Sequence, residues 1–479
     1  MFTPPTRTRT VSHPESSPPT GRPRAILGWL SLGLALVGSG CLHAPLNPPK
    51  ESVQPGPGYY FRTHVPASLD GGETLFLVAF SGGGTRAAAM AYGVLEELRR
   101  TPVPSSQPPR KLVEDINVIS SVSGGSFPAA AYALFGDEMF DSFVTNFLKR
   151  NVQGKLVGKT LSPWNWPRIG SPWYGRSDMA AKYYDEILFK GATFGDIKPG
   201  RRPFVLLNTT EVSTGLQFWF TQDVFDNICS DLSNYPVSRA VAASSAVPVL
   251  LSPITLKNYG GECGYVPPEW QSAKAQAGDG MALLRRGEEL AELRNRTNRP
   301  YLHLVDGGVA DNLGLRPLLE GLAYLESVPS SRQGVDLSAL RRVVLLSVNA
   351  HSSPENDWDE KESPPGMLAL AVASSGITME RYSRDTIALM ANLVANLERK
   401  TKDLRGAGAS ELRFFPIEIS FDNLSDPAER RYFLNVPTSF FLSDQAVDRL
   451  RDVGGKLLRD SPQFQALLQD LAARPGTAR

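Results

Sequence analysis

Apolar residues along the chain fall into short, nearly unbroken runs: Thr74–Phe80 (TLFLVAF), Asp115–Ser120 (DINVIS), Tyr301–Val305 (YLHLV), Arg342–Val348 and Leu412–Ser420 (LRFFPIEIS). Runs of this length without polar alternation predict strands covered on both faces. Between them the period changes. Thr85–Arg100 places Ala87, Met90, Ala91, Val94 and Leu95 at helical spacing, and an Ala-rich helix is predicted up to Leu134. Further helices are expected at Met281–Leu293, as a charged, solvated face, and at Met367–Lys402, Ser443–Asp460 and Pro462–Ala472. Strands alternating with helices predict an α/β fold with a mainly parallel central sheet.

The front of the chain follows another pattern. Residues 1–24 carry Arg7, Arg9, Arg22 and Arg24 against Glu15 and lead into Ala25–Val37 (AILGWLSLGLALV), too short to span a bilayer but suited to a signal-peptide core. Gly38, Ser39 and Gly40 then precede Cys41, resembling the site at which bacterial lipoproteins are cleaved and lipidated, although Gly38 stands where Leu is usual. The expectation is a signal peptide over 1–40 and an exported chain anchored in a membrane through Cys41, facing the periplasm or outer membrane. Without lipidation it would be secreted. The Pro-rich stretch that follows reads as a tether over 41–70.

Chemistry gathers where strands end. Ser81, Gly82, Gly83 and Gly84 lie between the first strand and its helix, leaving backbone N–H groups uncovered at a positive helix terminus, where a phosphate or a developing oxyanion is stabilised. Gly82, Gly84 and Ala87 also satisfy a loose dinucleotide fingerprint, but the next strand ends in Ser rather than an acid, and no phosphate-loop Lys follows. That strand runs into Ser121-Val122-Ser123-Gly124-Gly125-Ser126. A Ser exposed at a sharp strand-to-helix turn needs small residues two before and two after, and Ser121 and Gly125 fill those places around Ser123. Ser121 replaces the usual first Gly, with less freedom at positive φ. The third strand ends at Asp306-Gly307-Gly308, which puts a carboxylate at a strand end beside flexible backbone, in reach of a base's role.

SGGGTRAAA at 81–89, SVSGGS at 121–126 and DGG at 306–308, in this order, resemble the signatures of patatin-like phospholipases and the related cytosolic phospholipase A2 catalytic domain. ATFGDI at 192–197, LLNTTEVSTG at 206–215 and AVAASSAVPVLLSPI at 240–254 are weaker likenesses, so the resemblance spans about residues 73–350. It implies a three-layer α/β/α fold and a Ser-Asp dyad, with hydrolysis of phospholipid, lysophospholipid or other acylglycerol esters through an acyl-enzyme. Carried onto this chain, Ser123 is the nucleophile, Asp306 the general base and Gly82, Gly83 and Gly84 the oxyanion hole. Gly125, Gly307 and Gly308 support the motifs, and Arg86 either steadies the glycine loop or meets a lipid phosphate. An acyltransferase using the same dyad, and an inactive lipid- or partner-binding lipoprotein, are the alternatives. His351, after the strand Arg342–Val348, leaves a Ser-His-Asp triad open, whereas alternation turns His303 away from Asp306.

Composition narrows the remaining classes. The chain has 479 residues with 50 Lys plus Arg against 49 Asp plus Glu, a balance without the cationic excess of a nucleic-acid binder. Three Cys and five His, none at metal-ligand spacing, imply no metal, and the family resemblance implies no cofactor. Cys229 and Cys263 are either paired or free. A catalytic domain is expected over 71–350, with insertions near 137–190 and 260–298, followed by a C-terminal helical extension over 351–479 that packs on the catalytic domain. The first insertion sets Phe143, Phe147, Lys149, Arg150, Trp164, Trp166, Trp173 and Tyr174 among Pro residues, which suits either irregular packing or a membrane interface.

Overall fold

In the computed structural model of the chain, residues 46–473 are described except 54–57, 66–72, 105–108, 170, 172–173, 199–202, 249, 269–280, 328–339, 354–357, 361, 365 and 406–411. The leader over 1–40, Cys41, Pro172 and Trp173 lie outside the described residues. The strands are β1 (Thr74–Phe80), β2 (Val118–Val122), β3 (Phe204–Glu211), β4 (Leu216–Trp219), β5 (Ile254–Lys257), β6 (Tyr301–Asp306), β7 (Arg342–Asn349) and β8 (Arg413–Ser420). Helices of eight residues or more are α1 (Gly84–Arg100), α2 (Ser126–Phe135), α3 (Val152–Leu161), α4 (Arg176–Tyr184), α5 (Val237–Ser244) and α6 (Met281–Leu293). They continue as α7 (Arg316–Ser327), α8 (Met367–Arg405), α9 (Pro427–Leu434), α10 (Asp444–Asp460) and α11 (Pro462–Ala473).

Among the described residues one sheet holds all eight strands, in the order β5-β6-β3-β2-β1-β7-β8 with β4 paired to β3 off this path. β8, β7, β1, β2 and β3 run parallel, while β4, β5 and β6 pair antiparallel to their neighbours, so the sheet is mixed on the side that carries Asp306. β1, β2 and β7 are buried along almost their whole length, as their continuous apolar runs require. Helices flank the sheet in a three-layer α/β/α arrangement: α1 packs on α2 and α10, α2 on α5, and α7 on α8.

The segment beyond residue 350 packs on the catalytic domain and adds the strand expected at Leu412–Ser420 to its sheet. β8 pairs with β7 in register from Arg342↔Arg413 to Asn349↔Ser420, and α10 buries Val447, Leu450, Val453, Leu457 and Leu458. α10 crosses α1 so closely that a Cβ on Gly93 would lie 2.1 Å from Arg451 O, and one on Gly454 would lie 2.5 Å from Met90 O. The two helices therefore meet backbone to backbone, with Arg451 bridging to Glu96 at 3.0 Å.

The Pro-rich segment is likewise no free tether where it is described. Asn47 is buried and exchanges hydrogen bonds with Lys257 N and O at 2.7 and 3.0 Å, and Lys50 pairs with Asp226 at 2.8 Å. Tyr59 stacks on Phe204, and its hydroxyl bonds Val205. Proline prevents regular structure there, but isolated polar and aromatic anchors fasten the strand to the body. Cys229 and Cys263 form a disulfide. α6 presents Arg285 to solvent but buries Leu290, Leu293 and Arg286, the last over the Trp219 ring at 3.8 Å, so it is a packed amphipathic helix rather than a wholly solvated one.

Candidate active site

Strand register sets the site. Phe80 pairs with Ser121, Ser121 with Leu207 and Val122 with Asn208, while Thr209, the next residue of β3, pairs with Asp306. Gly82 and Ser123, each two residues past the Phe80–Ser121 pair, therefore reach the same level as Asp306, at the carboxyl edge of the parallel strands. Asp306 arrives there from the opposite direction, because β6 is antiparallel. Asp306 stands at the end of its strand as the sequence suggests, and that strand runs antiparallel to β3 in an otherwise mainly parallel sheet.

Ser123 sits at φ 51° between β2 and α2, the strained turn expected of an exposed nucleophile. Ser121 lies within β2 and is not among the residues at positive φ, so the replacement of Gly there costs no backbone strain. Instead its hydroxyl accepts a hydrogen bond from Ser126 at 3.2 Å. A Cβ on Gly124 would lie 2.0 Å from Gly84 O, so only glycine lets the serine turn press against the glycine loop.

Asp306 is 4% exposed. Burial pushes its carboxyl up to about 6, opposed by the Gly308 N–H, which donates to Oδ1 at 2.8 Å, and by the Ser123 side chain, close enough to hold it down. A carboxylate at about 6 is a better proton acceptor at neutral pH than one near 4.

The glycine loop carries positive φ at Gly83 (140°) and Gly84 (59°). Gly82 differs from the expectation that all three glycines line an oxyanion hole. Its N–H donates to Asn312 O at 2.9 Å, while a Cβ on it would lie 3.2 Å from Ser123 Cβ, so it abuts the serine with its donor already engaged. Among the described residues Gly83 and Gly84 direct their N–H groups to no protein acceptor, and both precede or open α1. Arg86 is buried, with Nε on Ala350 O at 2.8 Å, Nη2 on Thr438 Oγ1 at 3.0 Å and Nη1 on Val436 O. Of its two expected roles, the geometry is that of a loop clamp, with the guanidinium turned into the protein.

Several groups escaped the sequence reading. Ser244, at the end of α5, accepts the Ser123 N–H at 3.0 Å and donates to Asn208 O at 2.7 Å. Its carbonyl takes the Gly307 N–H at 3.3 Å, and Ala246 O takes the Asp306 N–H at 3.0 Å. One short segment thus fastens both Ser123 and Asp306. The only signal was the SSA within AVAASSAVPVLLSPI, and serine pairs are too common to single out. Neither His303 nor His351 makes a contact with Ser123 or Asp306 among the described residues: His351 Nε2 faces Asp422 at 3.4 Å, and His303 Nδ1 meets Thr255 on the exposed face of β6.

Ser123, a buried carboxylate and two uncommitted backbone donors make an arrangement capable of acyl transfer. No curated protein matches the chain. Among solved structures it is similar to human GIVD cytosolic phospholipase A2, at 12% identity and TM-score 0.41, over 85% of this chain and 62% of that one. The same human enzyme in complex with methyl gamma-linolenyl fluorophosphonate matches at 12% identity and TM-score 0.39, over 86% and 63%. A family model described as patatin-like phospholipase matches residues 78–319, half of the chain, from β1 through Ser123 and Asp306 into α7. The chain belongs to the patatin-like phospholipase family.

Proposed function

We propose that the protein is a serine acyl hydrolase of lipid carboxylic esters, phospholipids or other acylglycerols. The observation that carries the reading is Ser123 at positive φ facing a buried carboxylate whose pKa burial has raised to about 6. Asp306 takes the proton from Ser123 Oγ as that oxygen bonds to the ester carbonyl carbon, and the Gly83 and Gly84 N–H groups receive the oxyanion. The carbonyl re-forms as the alcohol leaves with the proton from Asp306. Water then attacks the acyl-Ser123 ester, giving its proton to Asp306, and the carboxylic acid departs as Ser123 Oγ recovers the proton. Arg86, with its donors committed to Ala350, Val436 and Thr438, fixes the glycine loop.

A fluorophosphonate probe tests the reading. Wild type labels and Ser123→Ala does not; an unreactive wild type, or a variant that still labels, overturns it. We further infer export and anchoring through Cys41, a reading supported by the Cys229–Cys263 disulfide, which is at home in an oxidising compartment. Mass spectrometry of protein isolated from membranes should find a diacylated cysteine at position 41 as the first residue; an unmodified Cys41 refutes anchoring.

A further inference from the structure

α3 carries its polarity the wrong way round for a helix on a water-facing surface. Val152 and Leu156 are buried, and the opposite face holds Gly154, Val157, Gly158 and Leu161, with Val157 50% and Leu161 67% exposed. The apolar stripe continues in the next turn with Trp164, 92% exposed, and Trp166, 59% exposed. Ordinary packing would bury such rings.

This stripe is joined to the reaction centre. The first turn of α3 is pinned by Gln153, whose N–H donates to Phe440 O at 3.1 Å and whose Oε1 accepts from Ser439 Oγ at 2.8 Å. Ser439 O in turn holds the Thr85 N–H, in the first turn of α1 next to the glycine loop, at 2.8 Å. Phe441, beside that junction, is 48% exposed. Leu250, 68% exposed, stands four residues after Ala246, which accepts the Asp306 N–H. Apolar side chains therefore stand exposed on both segments that fasten the site. Around the stripe, Arg150, Lys155 and Arg168 are exposed and make no ion pair among the described residues.

We propose that Val157, Leu161, Trp164, Trp166, Leu250 and Phe441 form a docking surface for a phospholipid bilayer. The apolar side chains enter at the headgroup boundary, and Arg150, Lys155 and Arg168 face anionic headgroups. Indole rings with an apolar body and a polar N–H suit that depth, and exposed cations favour an anionic lipid surface over a second copy of this chain. For its catalytic consequence the inference rests on the acyl-hydrolase reading; for binding it does not.

The test uses the full-length chain carrying Ser123→Ala, so that vesicles stay intact, with phosphatidylcholine and phosphatidylglycerol vesicles whose acyl chains are brominated. The difference in tryptophan emission between this protein and one also carrying W164F and W166F isolates the two indoles. The docking surface predicts at least 2-fold quenching of that difference by the brominated lipid; an unquenched difference overturns it. In the chain with Ser123 intact, W164A/W166A should lower hydrolysis of vesicle phospholipid at least 5-fold and leave turnover of a soluble short-chain ester within 2-fold. Unchanged vesicle hydrolysis, or an equal loss on both substrates, overturns the proposal. A wild type inert on both substrates defeats the hydrolase reading while the quenching still decides docking. Concentration-dependent dimers that W164A/W166A abolishes, with no quenching, would assign the face to self-association instead.

Discussion

Asp306→Asn separates the chemical role of the carboxylate from its structural cost. The side chain is 4% exposed, and its pKa of about 6 stands above an ordinary 3.8 because burial penalises the charge more than Gly308 and Ser123 relieve it. Keeping this carboxylate ionised at neutral pH thus costs about 3 kcal/mol of folding stability. The sign follows from proton counts: between about 4 and 6 the folded state holds more protons than the unfolded one, so the group's contribution to stability falls as pH rises through that window and is flat above it. Asn keeps an oxygen for the Gly308 N–H and removes the charge. Above pH 7 the variant should melt a few degrees higher than wild type, since ~3 kcal/mol is a modest shift in a chain of this size, and at pH 4 the two should coincide. Turnover of a soluble ester should fall about 10³-fold, the usual scale for losing a general base. In wild type the rate should rise roughly tenfold per pH unit up to about 6 and then level, because the ionised form is the base. A variant less stable than wild type at pH 8, or one retaining more than a tenth of the turnover, refutes the reasoning.

Ser244→Ala should lower kcat about 10-fold with KM unchanged, since it leaves the Ser123 N–H unpaired in the interior, and Ser244→Thr should restore most of it; a KM effect alone would remove Ser244 from the positioning of Ser123. His351→Ala should keep turnover within about 2-fold, because the ring faces Asp422; a loss of 10²-fold or more would revive the triad. Reduction of the Cys229–Cys263 bond, 34 residues apart in sequence, should lower unfolding stability by about 4 kcal/mol, read as a shift of the urea midpoint, and an unmoved midpoint would deny the bond any stabilising role.

The elements that were legible share one property: their sequence pattern is local. β1 is Thr74–Phe80 as the apolar run predicts, and α8, α10 and α11 fall within a few residues of their apolar stripes. The strand predicted from Asp115 begins at Val118, because Leu112–Asp115 closes into a single 3-10 turn first. Ser123, Asp306 and the glycines could be placed at strand ends because the residues that make such turns are few. What could not be read was long-range. No local signal marks the Ser244 hydroxyl as the partner of a backbone N–H 121 residues away, or reverses β6 relative to β3. Among the described residues no helix or strand precedes Phe61, yet proline density does not forbid docking, which Asn47, Lys50 and Tyr59 achieve one side chain at a time.

The same distinction redraws the proposed catalytic unit. The family match ends at residue 319, and the first motif can be recognised without anything beyond it. Yet the glycine loop is held from beyond that limit: Arg86 spends its donors on Ala350, Val436 and Thr438, Thr85 donates to Ser439, and Ser81 accepts from Ala350 at 2.9 Å. β7 and β8 complete the sheet on the side of β1 away from Ser123, and α10 backs the helix that the glycine loop opens. An oxyanion hole depends on donors fixed before the charge develops, because reorienting them during the reaction would return the energy they supply. In the proposed reading the motif residues specify the chemistry, while the segment from Arg342 to Asp460 supplies the rigidity that would let the Gly83 and Gly84 N–H groups wait in place.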